Sequence, residues 1–493
     1  MPIDYSNITT TEATPCASSM IETFRAIGYS LETAVADIID NSISAGAKNI
    51  WINRYWRGAQ SVLSIKDDGC GMNNEELVNA LRPGAINPLA ERSLTDLGRF
   101  GLGLKTASFS QCRKLSVVSK RDGYVPVYWA WDLDYVAQTD KWSLIRWLPE
   151  EFAEEFTKDS HSGTMVIWSD MDRVIPADTD ESDEVAKAKF SAQFDRVKNH
   201  LAMTFHRFIE DKSIRIYWSE HEIEPWNPFC EDEAKTQTSP LEEIVDGRGA
   251  TVKGYVLPHR KNFSSELEYR KAEGIKGWVE QQGFYIYRGK RLLLAGDWLG
   301  LFRKEEHYKL ARIRIDLPNT QDDLWQIDIK KSTARPPIAY INQLKSYAST
   351  IRSGAEKVYR HRGRVLRARA GASYAPLWLD KNKDGKWSFV INRDNDVIVS
   401  LKEMAKTKPE QAINMLLRFV EESIPIPSIH IKDASQENEN KEPFSDMPTE
   451  IVRVVLECAY NNYLAEGRTP QQAKDLLKYQ EPFNLYEDLI DQL

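Results

Sequence analysis

The sequence predicts an α+β fold, with a largely antiparallel sheet in its N-terminal part. Apolar residues 34, 35, 38 and 39 repeat with helical spacing between residues 31 and 46. Segments such as "KNIWINRYW" alternate between apolar and polar side chains, as strands do. Farther along, "GWVEQQGFYIYRGKRLLLAG" predicts a hairpin with its turn at Gly289. Because helical and strand patterns are interspersed, both kinds of element contribute to each predicted domain.

The composition is that of a globular chain. Its 493 residues suffice for two to four domains. No run of about 18 apolar residues exists, so we expect no membrane-spanning helix, and the first residues lack the pattern of a secretory signal. Five scattered cysteines without a CxxC pair argue against structural zinc and for a reducing compartment, so we expect a cytoplasmic protein. The formal net charge of −8 gives no overall sign of nucleic-acid binding.

The first predicted domain, residues 1–215, begins with helices at residues 22–29 and 31–46. Two strands follow, "KNIWINRYW" and "AQSVLSIKDD", and the second runs into the glycine-rich turn "DGCGM". The helix "NNEELVNAL" ends before Pro83, and a loop of about fifteen residues leads into another helix through "GRFGLGLKTAS". Strands at "KLSVVSKRD", "VPVYWAWDL" and "GTMVIWSDM" complete this domain.

The remaining chain divides by composition into four regions. Residues 216–345 again mix strands and helices, including predicted strands at "HYKLARIRIDLP" and "DLWQIDIKKSTARPP". A basic helix and the hairpin "PLWLDKNKDGKWSFVIN" occupy residues 346–430, and residues 431–448 form a polar linker that buries little. The tail, residues 449–493, is helical, and Thr469 with Gln472 predicts a capping box.

Three short motifs offer chemistry, and each also has a purely structural explanation. Asp37 and Asn41 lie four residues apart and so share a face of the helix at residues 31–46. An amide oxygen suits Mg²⁺, and a nearby carboxylate can accept a proton from water. A solvated helix face would contain the same residues.

The second motif, "DDGCGM", places Asp67 at a strand end, before Gly69, Gly71 and Met72. An ionised carboxylate only accepts hydrogen bonds, so it would suit the exocyclic amine of adenine and reject the O6 of guanine. The two glycines would let the backbone pass close to a flat ring. A tight turn would explain the same residues.

The third motif places Gly98, Gly101 and Gly103 before a helix. Such a segment offers backbone N–H groups and a helix N-terminus to phosphate oxygens. The order GxxGxG differs from the Rossmann GxGxxG and lacks the Lys-Ser/Thr end of a P-loop. Close packing of the helix through its glycines is the alternative explanation.

In their order and spacing, these motifs and "GTMVIW" at residues 163–168 resemble the GHKL ATPases. That superfamily comprises gyrase B, the large ATP-dependent heat-shock chaperones, histidine kinases, MutL and MORC. The strings "IIDNSISAGA" and "GRFGLGLKTAS" are most similar to the MutL and MORC branch. The resemblance implies a Bergerat-type ATP-binding α/β sandwich, followed by a transducer-like α+β domain to residue 345. The sequence patterns themselves predict a mainly helical C-terminal region.

The resemblance also implies a role for each matched residue. Asn41 would coordinate the Mg²⁺ of bound ATP, and Asp37 would be the general base. Asp67 would accept a hydrogen bond from the adenine amine, with help from Thr164. The pocket for the adenine base would be shaped by Gly69, Gly71 and Met72. The phosphates would be held, under a lid at residues 82–100, by Gly98, Gly101, Gly103 and Lys105.

Asp37 departs from the family pattern, in which the base four residues before the asparagine is usually Glu. Because Asp37 is one methylene shorter, its carboxylate would lie about 1 Å farther from the water, a shift that can cost on the order of 10²-fold in rate. Slow turnover, or tight ATP binding with little hydrolysis, therefore stays open.

Two lysines are candidates for a contact from the transducer to the γ-phosphate, which MutL-like and gyrase-like members make. "WQIDIKKSTARPP" offers Lys330 and Lys331 at that place, and placement slightly favours Lys331. Such a lysine would couple the nucleotide state to domain orientation. A solvated basic turn is the alternative.

The main functional hypothesis is an ATP-operated clamp, in which the ATP domains of a homodimer associate on binding Mg-ATP and separate after hydrolysis. Its partner would be DNA or a DNA-processing protein, because similar compact prokaryotic MORC/MutL-like ATPases are linked to restriction-modification and phage defence. Five arginines at residues 360–369 would meet a phosphate backbone, or would pair with the chain's own acidic surface. The alternatives are a chaperone-like ATPase acting on a protein client and an ATP sensor that barely hydrolyses.

Overall fold

The computed structural model divides into two compact units, Met1–Tyr359 and Arg360–Leu493. It describes residues 9, 11–85, 103–156, 161–244, 249–318, 321, 324–327, 334–360, 377–383, 386–424, 429, 449–479, 483 and 486–493. The boundaries of the smaller predicted domains stay predictions. Among the described residues, none of the helices has the length and apolar character needed to cross a bilayer.

The first unit contains helices and strands in alternating groups. Its described helices are α1 (Ala17–Arg25), α2 (Leu31–Ser44), α3 (Asn74–Leu81), α4 (Gly103–Phe109), α5 (Leu133–Thr139), α6 (Glu184–Thr204), α7 (His206–Glu210), α8 (Glu266–Glu273) and α9 (Ile338–Arg360), the last of which ends at the boundary of the unit. Its described strands are β1 (Asn49–Tyr55), β2 (Val62–Asp67), β3 (Lys114–Lys120), β4 (Val127–Asp132), β5 (Gly163–Ser169), β6 (Arg215–Trp218), β7 (His221–Glu222), β8 (Gln237–Thr238), β9 (Glu242–Glu243), β10 (Thr251–Val256), β11 (Gly283–Arg288), β12 (Arg291–Asp297) and β13 (Ala311–Leu317).

The first sheet has the strand order β4-β3-β5-β2-β1-β6-β7. Its neighbouring strands are antiparallel except for β1 and β6, which run parallel, so the predicted, largely antiparallel sheet is confirmed. The register places Thr164 of β5 opposite both Asp67 of β2 and Ser119 of β3. Three polar side chains from consecutive strands thus meet at one end of the sheet.

Helices cover one face of this sheet, which gives the predicted α/β sandwich. The apolar stripe of α2, including Val35 and Ile39, packs in one core with Phe109 of α4 and Phe194 of α6. α2 begins at Ser30, whose side chain forms a capping box with Thr33. Since the stripe is apolar on one side only, the polar residues of α2 lie at the edges of this core.

The first predicted helix was placed incorrectly. It was expected at residues 22–29, but α1 spans Ala17–Arg25, and Gly28 adopts φ of +84° in the following loop. The backbone N–H of Ser18 donates a hydrogen bond of 2.9 Å to Oδ1 of Asp140, which satisfies a free donor in the first turn. A partner so distant in sequence could not be inferred from the local pattern.

The second sheet has the order β12-β11-β13-β10-β8, with β9 also paired to β10. Its core includes Ile286, Ile313 and Ile315, and α9 covers it with Leu344 and Ala348. The predicted hairpin with its turn at Gly289 is confirmed, because β11 and β12 pair on either side of it. Residues 324–327, which were predicted to belong to a strand, contain turns instead.

The second unit is mainly helical in its described part. It contains the hairpin β14 (Trp378–Lys383) and β15 (Lys386–Ile391), and the helices α10 (Asp396–Ala405), α11 (Pro409–Glu421), α12 (Thr449–Ala465), α13 (Pro470–Tyr479) and α14 (Glu487–Asp491). The predicted capping box is present, because Gln472 N donates to Thr469 Oγ1 and Thr469 N donates to Gln472 Oε1. The α+β class with a mainly helical C-terminal region is therefore confirmed.

Candidate functional site

Asp67 lies at the end of β2, buried beneath the turn that follows. Its Oδ1 accepts a hydrogen bond of 2.9 Å from the Gly69 N–H, and its Oδ2 accepts one of 2.8 Å from the Ser42 hydroxyl. Burial raises the pKa of Asp67 above its usual value, while the bonds from Gly69 and Ser42 oppose that rise. The backbone N–H of Thr164 also interacts with this carboxylate, and the four lone pairs of its two oxygens still leave room for one more donor from a ligand.

The glycines around Asp67 allow backbones to approach closely. Gly71 has φ of +63°, and a Cβ built there would lie 1.8 Å from the Lys120 carbonyl oxygen. A Cβ at Gly69 would lie 2.9 Å from the Cβ of Ala45, and one at Gly163 would lie 2.3 Å from the Asp67 carbonyl oxygen. The turn "DGCGM" is thus packed against β3, β5 and the end of α2 without room for side chains.

A hydroxyl pair lies beside this carboxylate. The Oγ of Ser119 and the Oγ1 of Thr164 are 2.7 Å apart, and Ser119 Oγ accepts a bond of 2.9 Å from the Met72 N–H. The side chain of Ser119 is fully buried, and that of Thr164 is nearly so. The structure therefore brings together Asp67, Met72 and Thr164, the three residues that were predicted to surround a base.

Asp37 is buried on α2 and faces the start of α4. Its Oδ2 accepts a hydrogen bond of 2.7 Å from the Tyr29 hydroxyl. A Cβ built at Gly103 would lie 3.6 Å from the same Oδ2, so the first residue of α4 is next to the carboxylate. The predicted base and the last glycine of the third motif are therefore neighbours in space.

Asn41 lies one turn farther along α2 and is exposed. Within the described residues, its side chain makes no hydrogen bond. A neutral, hard oxygen that is accessible beside a carboxylate fits the ligand preference of Mg²⁺ when phosphate oxygens and water supply the other ligands. The donor set is thus compatible with a metal held jointly by the protein and a nucleotide, and Asn41 would be the residue that holds it.

Lys105 has a different environment from the one predicted for a phosphate ligand. Its side chain is buried, and Nζ donates a hydrogen bond of 2.9 Å to the Ala80 carbonyl oxygen at the end of α3. Burial lowers the pKa of Lys105 to about 8. In this structure the lysine links α4 to α3, and its contact with phosphates stays a prediction.

An arginine from the second sheet also reaches the site, and the sequence patterns did not indicate it. Nε of Arg291 donates to both carboxylate oxygens of Asp40, at 2.9 and 2.8 Å. Nη2 of Arg291 lies 3.8 Å from Oδ1 of Asp37. The acidic face of α2 is therefore neutralised in part by a cation from β12.

Four predicted site residues, Gly98, Gly101, Lys330 and Lys331, lie outside the described residues. So do most of the predicted lid at residues 82–100 and the arginines that follow Arg360. Their predicted roles stay predictions.

Comparison with known families identifies the region that contains this site. Residues 29–164 match the family described as histidine kinase-, DNA gyrase B-, and HSP90-like ATPase. These residues form a GHKL ATPase domain. The match begins at Tyr29 and ends at Thr164, both of which contact the predicted site residues. The predicted resemblance to GHKL ATPases is confirmed for this domain.

Curated relatives are similar to the chain over about a fifth of its length. The protein named ATPase morc-1 of Caenorhabditis elegans is 32% identical over 93 residues, which cover 19% of the chain and 10% of the relative. The DNA mismatch repair protein MutL of Buchnera aphidicola is 38% identical over 91 residues, covering 18% of the chain and 15% of the relative. MutL of Dictyoglomus turgidum is 33% identical over 92 residues, covering 18% and 16%. The chain thus matches a sixth or less of the length of each of these relatives.

Proposed function

We propose that this protein binds and hydrolyses Mg-ATP and acts as an ATP-gated dimeric clamp in DNA transactions such as restriction-modification or phage defence. The carrying observation is the buried carboxylate of Asp67, which lies at the end of a strand within the GHKL domain and keeps lone pairs for a donor. Adenine offers such a donor in its exocyclic amine, whereas guanine offers an acceptor.

The position of Asp37 supports hydrolysis at the same site. Its carboxylate lies next to Gly103, at the start of the helix that follows the glycine motif, and one turn before Asn41. In the proposed reaction, Asp37 orients the attacking water and accepts its proton, while Asn41 holds the Mg²⁺ that neutralises phosphate charge. The hydrogen bond from Tyr29 holds the Asp37 carboxylate in one orientation.

The dimeric clamp and its DNA partner rest on similarity. The relatives named above include a DNA mismatch repair protein and a MORC ATPase, and each is similar to about a fifth of this chain. The five cysteines are free, in keeping with work in the reducing cytoplasm.

A second candidate function, an ATP sensor with very slow turnover, is favoured by the environment of Asp37. This carboxylate is one methylene shorter than the usual glutamate, and it is held on two sides by Tyr29 and Arg291. The shorter side chain would hold the carboxylate about 1 Å farther from the attacking water. The protein would then respond to ATP binding rather than to hydrolysis.

Calorimetric titration with ATP and GTP in the presence of Mg²⁺ tests the proposal. We expect ATP to bind and GTP to bind at least about 10²-fold more weakly, because the guanine acceptor would leave Asp67 unpaired. Asp67→Asn should weaken ATP binding by about ten- to a hundredfold, the cost of one hydrogen bond to a charged group.

Asp68→Asn is the matched control, because the Asp68 carboxylate accepts bonds from Lys48 N, Asn49 N and Asn49 Nδ2 at the other side of the turn. Its ATP affinity should stay within about threefold of the wild type. Absence of binding heat with ATP, or equal affinities for ATP and GTP, would contradict the proposal.

A further inference from the structure

Arg291 is a buried cation at the junction between the two sheets of the first unit. It is the first residue of β12, and its side chain is 3% exposed. The guanidinium has a separate partner on each side: Nε donates to Asp40, Nη1 donates to the Leu292 carbonyl oxygen at 3.0 Å, and Nη2 lies 3.8 Å from Asp37. The distance to Asp37 is that of an ion pair without a hydrogen bond.

Further contacts fasten the β11–β12 hairpin to the ATPase domain. The Tyr287 hydroxyl lies 2.7 Å from Nε2 of His206, and Arg207 donates to the Gly289 carbonyl oxygen at 3.3 Å. Lys290 forms an ion pair with Asp211 at the surface. Because these contacts lie on α7 and the loop after it, the hairpin that carries Arg291 moves only if this junction opens.

We propose that Arg291 is a positioning residue through which the second sheet sets the orientation of Asp37 and thereby the rate of ATP hydrolysis. This inference rests on the proposed function, since it assigns a regulatory contact to the same site. It makes turnover depend on how the β11–β12 hairpin is docked.

The geometry of α2 explains how one side chain acts on two acids. Asp37 and Asp40 are three residues apart and lie on the same helix face, so a single planar guanidinium spans both. Asp40 is 1% exposed, and both of its carboxylate oxygens accept a hydrogen bond from Nε of Arg291. These bonds fix the position of the guanidinium. The remaining arm is then directed toward Asp37.

Asp37 consequently has one oxygen for each of two neighbours. Oδ2 accepts the bond from Tyr29, which precedes α2, and Oδ1 faces Arg291. Charges interact more strongly in such a buried place than in water, so a shift of Arg291 by a fraction of its side-chain length changes the field at the carboxylate. When the hairpin moves away, Asp37 loses this ion pair and the orientation that the ion pair imposes.

Arg291→Lys tests this role, because lysine keeps a point charge for Asp40 but lacks the second arm that reaches Asp37. In the full-length protein with Mg-ATP, we expect kcat from phosphate release to fall about tenfold or more. The calorimetric Kd for ATP should change by less than about threefold, because Arg291 contacts neither Asp67, which was assigned to adenine, nor Asn41, which was assigned to the metal ion. Arg260→Lys, which makes the same exchange in an exposed pair with Glu266 away from the hairpin, is the control and should leave kcat and Kd unchanged.

Two results would overturn the inference. If kcat of Arg291→Lys equals that of the wild type, Arg291 does not position Asp37. If kcat and ATP affinity fall together, Arg291 only supports the fold. Should Arg291→Lys not fold, Asp40→Glu replaces it with the same outcomes, because this change keeps both charges and moves the guanidinium by one methylene. Failure of the wild type to bind ATP would instead contradict the proposed function.

Discussion

Asp37 combines the position of a general base with a side chain that is shorter than the family's glutamate. Extending it by one methylene in Asp37→Glu should raise kcat by about tenfold or more, because a misplacement of about 1 Å can cost on the order of 10²-fold. Phosphate release at saturating ATP measures the change. Asp37→Asn is the matched control, which should retain ATP binding and lose hydrolysis.

The outcome for Asp37→Glu also separates the two candidate functions. A large gain over a slow wild type would favour the ATP sensor. Fast hydrolysis by the wild type without a gain in Asp37→Glu would eliminate that sensor and would show that Asp37 already reaches the water.

Sequence patterns predicted some residues of this site and missed others for physical reasons. Asp37 and Asp67 belong to short motifs, and the structure buries both, Asp37 in the middle of α2 and Asp67 at the end of β2. Ser42 was missed, although a polar residue on the buried side of α2 requires a partner, and Asp67 is that partner. Tyr29 and Arg291 were missed because nothing in their local sequence indicates contact with α2.

At the scale of elements, Lys105 joins α4 to the C-terminal end of α3. The C-terminal end of a helix leaves carbonyl oxygens without partners and carries partial negative charge. The Lys105 ammonium donates a hydrogen bond to one of these oxygens, that of Ala80, and its positive charge lies next to the negative helix end. Burying the ammonium nevertheless costs free energy, since the pKa of Lys105 falls from 10.5 to about 8. At one unit per 1.36 kcal/mol, this corresponds to about 3 kcal/mol.

This burial predicts a pH dependence with a definite sign. Between pH 8 and 10.5 the unfolded chain holds a proton on Lys105 that the folded chain has lost, so the wild-type free energy of unfolding rises with pH. Lys105→Met lacks this rise. In urea unfolding, the stability of the variant relative to the wild type should therefore decrease by about 3 kcal/mol across the window. A difference that stays constant with pH would show that Lys105 is not buried as an ammonium.

Elements were predicted well where local chemistry defines their ends. α2 starts at a capping box and α3 at a second one formed by Asn73 and Glu76, and both were predicted within two residues. α1 was shifted because its N-terminus is bound by Asp140, on the far side of β4 in sequence. Boundaries set by distant partners require the tertiary structure.

At the scale of the whole molecule, sequence analysis did not predict the contact between Arg291 and Asp40, on which the proposed regulation of Asp37 rests. Arg291 and Asp40 are 251 residues apart, and each alone resembles an ordinary surface charge. Only the docking of the second sheet on the ATPase domain makes them a buried pair. The match to the ATPase family ends at Thr164, so it does not reach Arg291 either.

The proposed clamp predicts that association depends on nucleotide. Light scattering of the full-length protein should show about a doubling of mass when Mg²⁺ and a non-hydrolysable ATP analogue are added, as a closing two-fold dimer requires. Asn41→Ala should stay at the lower mass, because it removes the only side-chain metal ligand assigned at the site. Asn199→Ala, which alters an exposed asparagine on α6, should behave as the wild type.

The same samples test whether the clamp holds DNA. A gel-shift titration should show binding that increases with the analogue and weakens steeply with salt, because phosphate contacts release counterions. DNA binding by Asn41→Ala should no longer increase with the analogue, but it should still weaken with salt. If the mass does not change with nucleotide, the dimeric clamp is wrong even where ATP binds. If the mass doubles but DNA binding at low salt does not change with the analogue, the protein is an ATP-dependent dimer whose partner is not DNA.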